Sequence, residues 1–412
     1  MPRFLVVQLA RFGDLIQTKR LILSLQTQPG AEVHLCLDRS LEALARLVYP
    51  ELILHPITAH AAGVRPEEAL GLVLGQNRQV FADLSRAGFS AVYNLNFSGL
   101  NFALAGLFDP DTVHGYRTRN GQRIKGAWPS LAFRRPWERP LAPNLIDFWA
   151  AFHADPIAPE TVNPPASPKG GGVGVVLAGR SLRRSLPPEI LAPVVAAAWE
   201  GRGRGAITLL GSAAERPLAA KLMRSLNPRA AKHVRDLTGA TDWASLVREV
   251  GGLSTLLTPD TGIMHLAAHL GTPVTAFFLS SAWCFETGPY GLGHTVWQAV
   301  QPCTPCLESA PCEHDLACLR PFAEHGFLRA LATGEAGHAP PGLLGLASAF
   351  DALGAIYKPL GAGQDPFAKK RLEFRDFFAK HLAVDDCFQN APNPALALAF
   401  YQDRDWMTEN ER

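Results

Sequence analysis

At 412 residues the chain is too long for one ordinary core, so two domains are expected, and its 47% hydrophobic content can fill both. A formal net charge of +2 argues against nucleic acid as a partner. No stretch reaches the roughly 18 apolar residues of a membrane span, and the N-terminal run Phe4 to Ala10 is short and broken by Gln8. Seven cysteines, an odd number without a secretory leader pattern, suit a reducing cytoplasm rather than a disulfide framework.

In chain order, Phe4 to Leu9 reads as a buried strand, Asp14 to Gln26 as a helix and Glu32 to Leu37 as the next strand, a parallel α/β pattern. A long helix is expected around Pro66 to Ala87 and a further strand over Ala91 to Leu95. From Arg117 to Arg139 basic residues alternate with Trp128, Phe133 and Trp137, which suits either a solvated loop or contact with anionic headgroups or a phosphorylated acceptor. Pro and Gly crowd Pro156 to Gly174, where few core contacts form, so a domain boundary is placed there. The pattern then restarts with strands at Gly174 to Ala178 and Ala206 to Leu210. Helices are expected at Pro188 to Glu200, Glu215 to Leu226 and Asp242 to Val250. The strand Leu253 to Leu257 follows, and Val274 to Phe278 begins the next one. Two such halves predict Rossmann-like domains over 1–160 and 170–322, facing each other across a cleft. Residues 323–412, rich at first in Gly, Ala and Pro, are expected to form a helical C-terminal extension. Its first helix carries Phe367, Phe374 and Phe378 on one face, and its second is capped by Asn393 and Pro394.

The most informative stretch is Leu257 to Pro273, where a strand end turns directly into a helix through Asp260-Thr261-Gly262. The first N–H groups of such a helix suit phosphate, although an ordinary turn with a satisfied His265 has the same outline. Asp14, in Arg11-Phe12-Gly13-Asp14, lies at the carboxyl edge of the first sheet as either a site carboxylate or a helix N-cap. Gly13 there would permit close backbone approach, and Arg11 could pair with Asp14 or hold an anion. The loop Gly179 to Pro187 joins strand to helix with Ser181 and Arg184 among three arginines and two hydroxyls, a composition that suits phosphate oxygens. Glu215 can accept ribose hydroxyls or complement a helix dipole. Cys303, Cys306, Cys312 and Cys318 form a compact four-thiol cluster whose alternatives are structural zinc and reduced, loop-stabilising cysteines. His265 and His269 lack the intervening acid of a zincin helix, Asp109 and Asp111 are too short a match to a metal-dependent sugar transferase, and no Gly-x-Gly-x-x-Gly follows the first strand.

Taken in order, Arg11-Phe12-Gly13-Asp14, the basic loop before Pro187, Gly211 with Glu215, and Asp260-Thr261-Gly262-Ile263-Met264-His265-Leu266-Ala267-Ala268 resemble glycosyltransferase family 9. That family includes the ADP-heptose:lipopolysaccharide heptosyltransferases. The resemblance spans about the first 320 residues and implies a GT-B fold, with acceptor bound by the N-terminal half and nucleotide sugar by the C-terminal half. It implies that Asp14 is the catalytic base, with Arg11 and Gly13 on the acceptor side. Arg184, Ser181, Glu215, Asp260, Thr261, Gly262 and His265 would hold an ADP-linked donor. No cofactor would be required for inverting transfer to a glycolipid or glycan acceptor, and the protein would be cytoplasmic with peripheral contact at the inner membrane. The Lys-Arg-Trp-Pro common in the family is here Arg184-Ser185-Leu186-Pro187, without the tryptophan. A noncatalytic nucleotide-sugar-binding subunit of the same fold is the alternative.

Overall fold

The structure, a computed structural model, describes residues 1–59, 66–126, 128–129, 140–179, 182–307, 310–361 and 363–384. The chain divides into two compact units, Met1–Phe133 with Ile146–Ile157, and Arg134–Leu145 with Ala158–Arg412.

The first unit is built on β1 (Arg3–Gln8), β2 (Glu32–Asp38), β3 (Ile53–Ile57), β4 (Ala91–Asn94), β5 (Val113–Arg119) and β6 (Gln122–Lys125), in the order β3-β2-β1-β4-β5-β6. All pairs are parallel except β5 with β6. Leu5, Val7, Val92 and Val113 fill its core with Leu84 and Leu104 from the covering helices. β1 is buried almost throughout, as a central parallel strand covered on both faces must be.

Two expected helices are each broken by a polar residue. The one expected over Asp14 to Gln26 is two, Phe12–Gln17 and Lys19–Gln26, because the Thr18 hydroxyl donates to the Leu15 carbonyl at 2.6 Å and competes with the helix ladder. The one expected around Pro66 to Ala87 is Pro66–Gln76 and Arg78–Arg86. Between them the buried Asn77 side chain binds the Val73 carbonyl and both backbone groups of Thr58. The basic stretch from Arg117 forms the β5–β6 hairpin as far as Lys125, while residues 130–139 lie outside the described residues.

The second unit comprises β7 (Val173–Val176), β8 (Ile207–Leu210), β9 (Val234–Asp236), β10 (Thr255–Pro259), β11 (Val274–Phe278), β12 (Thr295–Ala299), β13 (Leu343–Asp351) and β14 (Gly354–Pro359). Their order is β14-β13-β12-β11-β10-β7-β8-β9. From β9 to β12 all neighbours are parallel, and β13 and β14 are antiparallel additions. The six parallel strands repeat the doubly wound order of the first unit, so each sheet reverses direction of winding once, between β1 and β4 and between β7 and β10. Ligands of such sheets bind outside the strand carboxyl ends at that reversal.

The C-terminal region contains the expected helix, Ala368–His381, with Phe374 and Phe378 buried. It also contains β13 and β14, where helical support alone was expected. These strands continue the second sheet, their Ala- and Gly-rich sequence having hidden a period-two pattern. The expected cap at Asn393 and Pro394 lies outside the described residues. Among the described residues no helix is long and apolar enough to cross a membrane.

Candidate functional site

Three adjacent parallel strands, β10, β7 and β8, present their carboxyl ends side by side, and the loops leaving them carry Asp260, Arg184 and Glu215. The β7 loop doubles back at Gly179, whose N–H donates to the Ser185 hydroxyl at 2.6 Å, and a single 3₁₀ turn, Leu182–Arg184, delivers the arginine. Arg184 Nη1 lies 3.0 Å from Asp260 Oδ2, with the two side chains 15% and 9% exposed. The Thr287 hydroxyl donates to the same carboxylate oxygen at 3.2 Å. Nothing in the motif pattern singled out Thr287, which sits on a four-residue helix beyond β11.

Thr261 caps the helix Gly262–His269, its side chain accepting from the Met264 N–H, and the Thr258 and Thr261 hydroxyls lie 3.1 Å apart. In the first turn, the N–H groups of Gly262 and Ile263 have no acceptor within the helix and present partial positive charge. A carboxylate beside them would ordinarily repel a second anion; the Arg184 guanidinium offsets the Asp260 charge, so phosphate and carboxylate can share this edge. His265 is 4% exposed, and burial pushes its imidazole down to about 4, so it is neutral near pH 7. Its Nδ1 has no hydrogen-bond partner among the described residues.

Glu215 turns back to accept the Ser212 N–H in a capping box at the start of its helix. A Cβ at Gly211 would lie 2.7 Å from Glu215 Oε2, so a side chain there would push that carboxylate aside. Ser181 lies outside the described residues.

In the first unit, Asp14 is at the third position of the helix Phe12–Gln17, not at its N-cap, and its Oδ2 accepts the Arg11 N–H at 3.0 Å. Gly13 lies in the same first turn, and Arg11 is its exposed N-cap. The neighbouring loop is tied in by the Asn96 side chain, which accepts the Leu9 N–H at 3.2 Å across the sheet reversal. Sequence reasoning missed Asn96, for which a lone asparagine after a strand offers little signal.

Cys303, Cys306, Cys312 and Cys318 line one cavity of about 150 Å³ together with Arg183, Ser280, Ser281 and His314. Arg183 binds this loop through the carbonyls of Leu307 and Ala310, and its Nη2 is 3.4 Å from Cys306 Sγ. Backbone donors from His314 and Leu316 hold the Cys312 thiol below its ordinary value, while burial raises Cys303 and Cys306. Among the described residues no group of three or more His, Cys, Asp or Glu side chains converges on one point suited to a metal ion.

Comparison with known proteins adds a sequence match and a fold match. Residues 194–316 match the family model of glycosyltransferase family 9 (heptosyltransferase). The chain is similar to the E. coli ADP-heptose lps heptosyltransferase II, with 17% identity, a TM-score of 0.53, and coverage of 78% of this chain and 98% of that one. It is also similar to the glycosyl transferase family 9 structure from Veillonella parvula, with 15% identity, a TM-score of 0.54, and coverage of 72% and 85%. No curated protein matches by sequence. The two Rossmann-like units are those of the GT-B fold, and the likeness to glycosyltransferase family 9 anticipated from the motifs is matched in sequence over 194–316, the stretch that carries Asp260, Thr261 and His265.

Proposed function

We propose that the chain is an inverting glycosyltransferase of family 9 that moves a heptose or related sugar from an ADP-sugar to a hydroxyl of a lipopolysaccharide-core or similar glycan acceptor. It would do so in the cytoplasm or at the cytoplasmic face of the inner membrane. The observation that carries this reading is the Arg184–Asp260 pair at the sheet reversal of the second unit, beside a helix start able to receive phosphate. The likeness in fold to an ADP-heptose lps heptosyltransferase supports an ADP-linked donor.

In the proposed reaction Asp14 accepts the proton of the acceptor hydroxyl as its oxygen forms a bond to the anomeric carbon on the face opposite the diphosphate. The carbon–oxygen bond to the diphosphate breaks, and ADP leaves with the electron pair. Charge grows on the leaving diphosphate, so the N–H groups of Gly262 and Ile263 and the Arg184 guanidinium stabilise the transition state more than the bound donor. Asp260, Thr261 and His265 are assigned to the donor's remaining polar groups, Glu215 and the Ser181 loop to the nucleotide, and Arg11 and Gly13 to the acceptor. No cofactor takes part in this scheme. The four thiols share one cavity without converging on a metal-sized point among the described residues, so we assign them the role of reduced, loop-stabilising cysteines; elemental analysis of the purified protein tests it.

The test is a heat-stability screen of nucleotides and nucleotide sugars, followed by ADP release with a lipopolysaccharide-core acceptor. A donor at 100 times its dissociation constant adds about 2.7 kcal/mol. Asp14→Asn is expected to keep that stabilisation and lose about 10²- to 10⁴-fold in turnover. Wild-type turnover in Asp14→Asn removes Asp14 as base, and donor binding without ADP release from any acceptor turns the assignment to a noncatalytic subunit.

A further inference from the structure

Thr287, the third group on the Asp260–Arg184 cluster, belongs to the helix Cys284–Thr287, too short to hold its own position. Its placement comes from what packs behind it, and that is the C-terminal region. The Trp283 indole meets the Phe367 ring edge-on at 5.1 Å. The Phe285 ring lies under the Arg371 guanidinium at 3.3 Å and meets Tyr357 edge-on at 5.3 Å. The Tyr357 hydroxyl donates to the Pro289 carbonyl at 3.1 Å, and Tyr290 packs on Phe350. Arg371 is itself fixed, 5% exposed, with Nη1 2.6 Å from Asp365 Oδ2 and Nε donating to the Pro140 carbonyl at 2.7 Å. A planar guanidinium stacked on an aromatic face and pinned at both ends is a stiff brace.

We infer that the region from β13 to the helix Ala368–His381 is a positioning element for the donor-binding carboxylate: Arg371, Tyr357 and Phe367 hold the Trp283–Tyr290 segment so that Thr287 fixes the orientation of Asp260. This rests on the functional reading above for what Asp260 binds, but not for the brace itself. Thr287 and Arg371 are positioning residues in this scheme. With Asp260 turned correctly by Arg184 and Thr287, its carboxylate is presented to the donor's sugar hydroxyls, and the discrimination between an ADP-sugar and bare ADP depends on that orientation.

The experiment compares wild type, Thr287→Val, Thr287→Ser, Arg371→Met and Tyr357→Phe in the full chain. It reads calorimetric affinity for ADP and for an ADP-sugar, and amide exchange over 259–265. Thr287→Val is expected to weaken the ADP-sugar about tenfold relative to ADP, the worth of one hydrogen bond to a charged group, and Thr287→Ser to restore it. Arg371→Met should reproduce the loss in that ratio and speed exchange over 259–265. If Arg371→Met does not fold, Tyr357→Phe and Thr287→Val decide. A folded Thr287→Val with an unchanged affinity ratio and unchanged exchange overturns the inference. Should wild type bind neither ligand, the functional reading fails, and exchange over 259–265 alone then decides for or against the brace.

Discussion

Two buried histidines in the second unit should make its stability fall with acid below about pH 6.5. His265 and His294 are 4% and 1% exposed, and burial lowers both from 6.5 to about 4. His294 Nδ1 accepts the Val274 N–H at 3.3 Å, which fixes a neutral imidazole protonated on Nε2. The folded affinity for protons is below the unfolded one, so this contribution is complete above pH 6.5 and is lost as pH falls toward 4. At pH 5 the unfolded chain takes up nearly one proton per histidine that the folded chain excludes, worth about 2 kcal/mol each and about 4 kcal/mol together. Most carboxylates remain ionised at that pH and add little to the slope. The assay is the urea midpoint of the second unit at pH 7.5, 6.0 and 5.0, in wild type and in the double variant His265→Gln, His294→Gln. The double variant starts less stable, but the slope is what matters: wild type should lose about 4 kcal/mol more than the variant between pH 7.5 and 5.0. Equal losses would refute the idea that these imidazoles stay uncharged in the fold.

Other perturbations follow from single contacts. Arg20→Leu removes the guanidinium 2.6 Å from the Asp147 carboxylate, both side chains being 5% exposed, and should destabilise the first unit by about 3–5 kcal/mol in chemical denaturation. Gly211→Ala places a methyl group 2.7 Å from Glu215 Oε2; nucleotide affinity should fall while pyrophosphate affinity holds, measured by thermal shift with each ligand. Arg184→Ala leaves Asp260 partly buried without its guanidinium and should weaken ADP binding about tenfold or more by calorimetry, whereas wild-type affinity would remove Arg184 from the donor site.

Much of the Asp260 turn was legible because its geometry coincides with strong local signals. A strand rich in Leu and Thr that stops at Pro259, a capping Thr261 and an apolar helix face specify the turn before any tertiary contact forms. Arg184 and Asp260 meet because parallel strands β7 and β10 are neighbours in the order that two alternating α/β halves predict. Asp14 was placed at the right sheet edge, but its carboxylate caps from within the helix instead of standing at the N-cap. Thr287 was illegible: its role depends on a four-residue helix held by rings more than 60 positions further along the chain, and no local period marks such a contact. The breaks at Thr18 and Asn77 were missed for a related reason, since apolar periodicity runs through both while a single side chain captures the backbone carbonyl.

The added pair β13–β14 also decides what the second sheet shows to other molecules. Without it the rim would be β12, a fully parallel strand with open main-chain groups; with it the rim is β14, which ends in Lys358 and Pro359. The opposite rim, β9, is three residues long. A short strand at one end and a charge next to a proline at the other leave little template for strand-on-strand recruitment, so this unit is protected from runaway sheet growth even though its interior strands are almost wholly apolar.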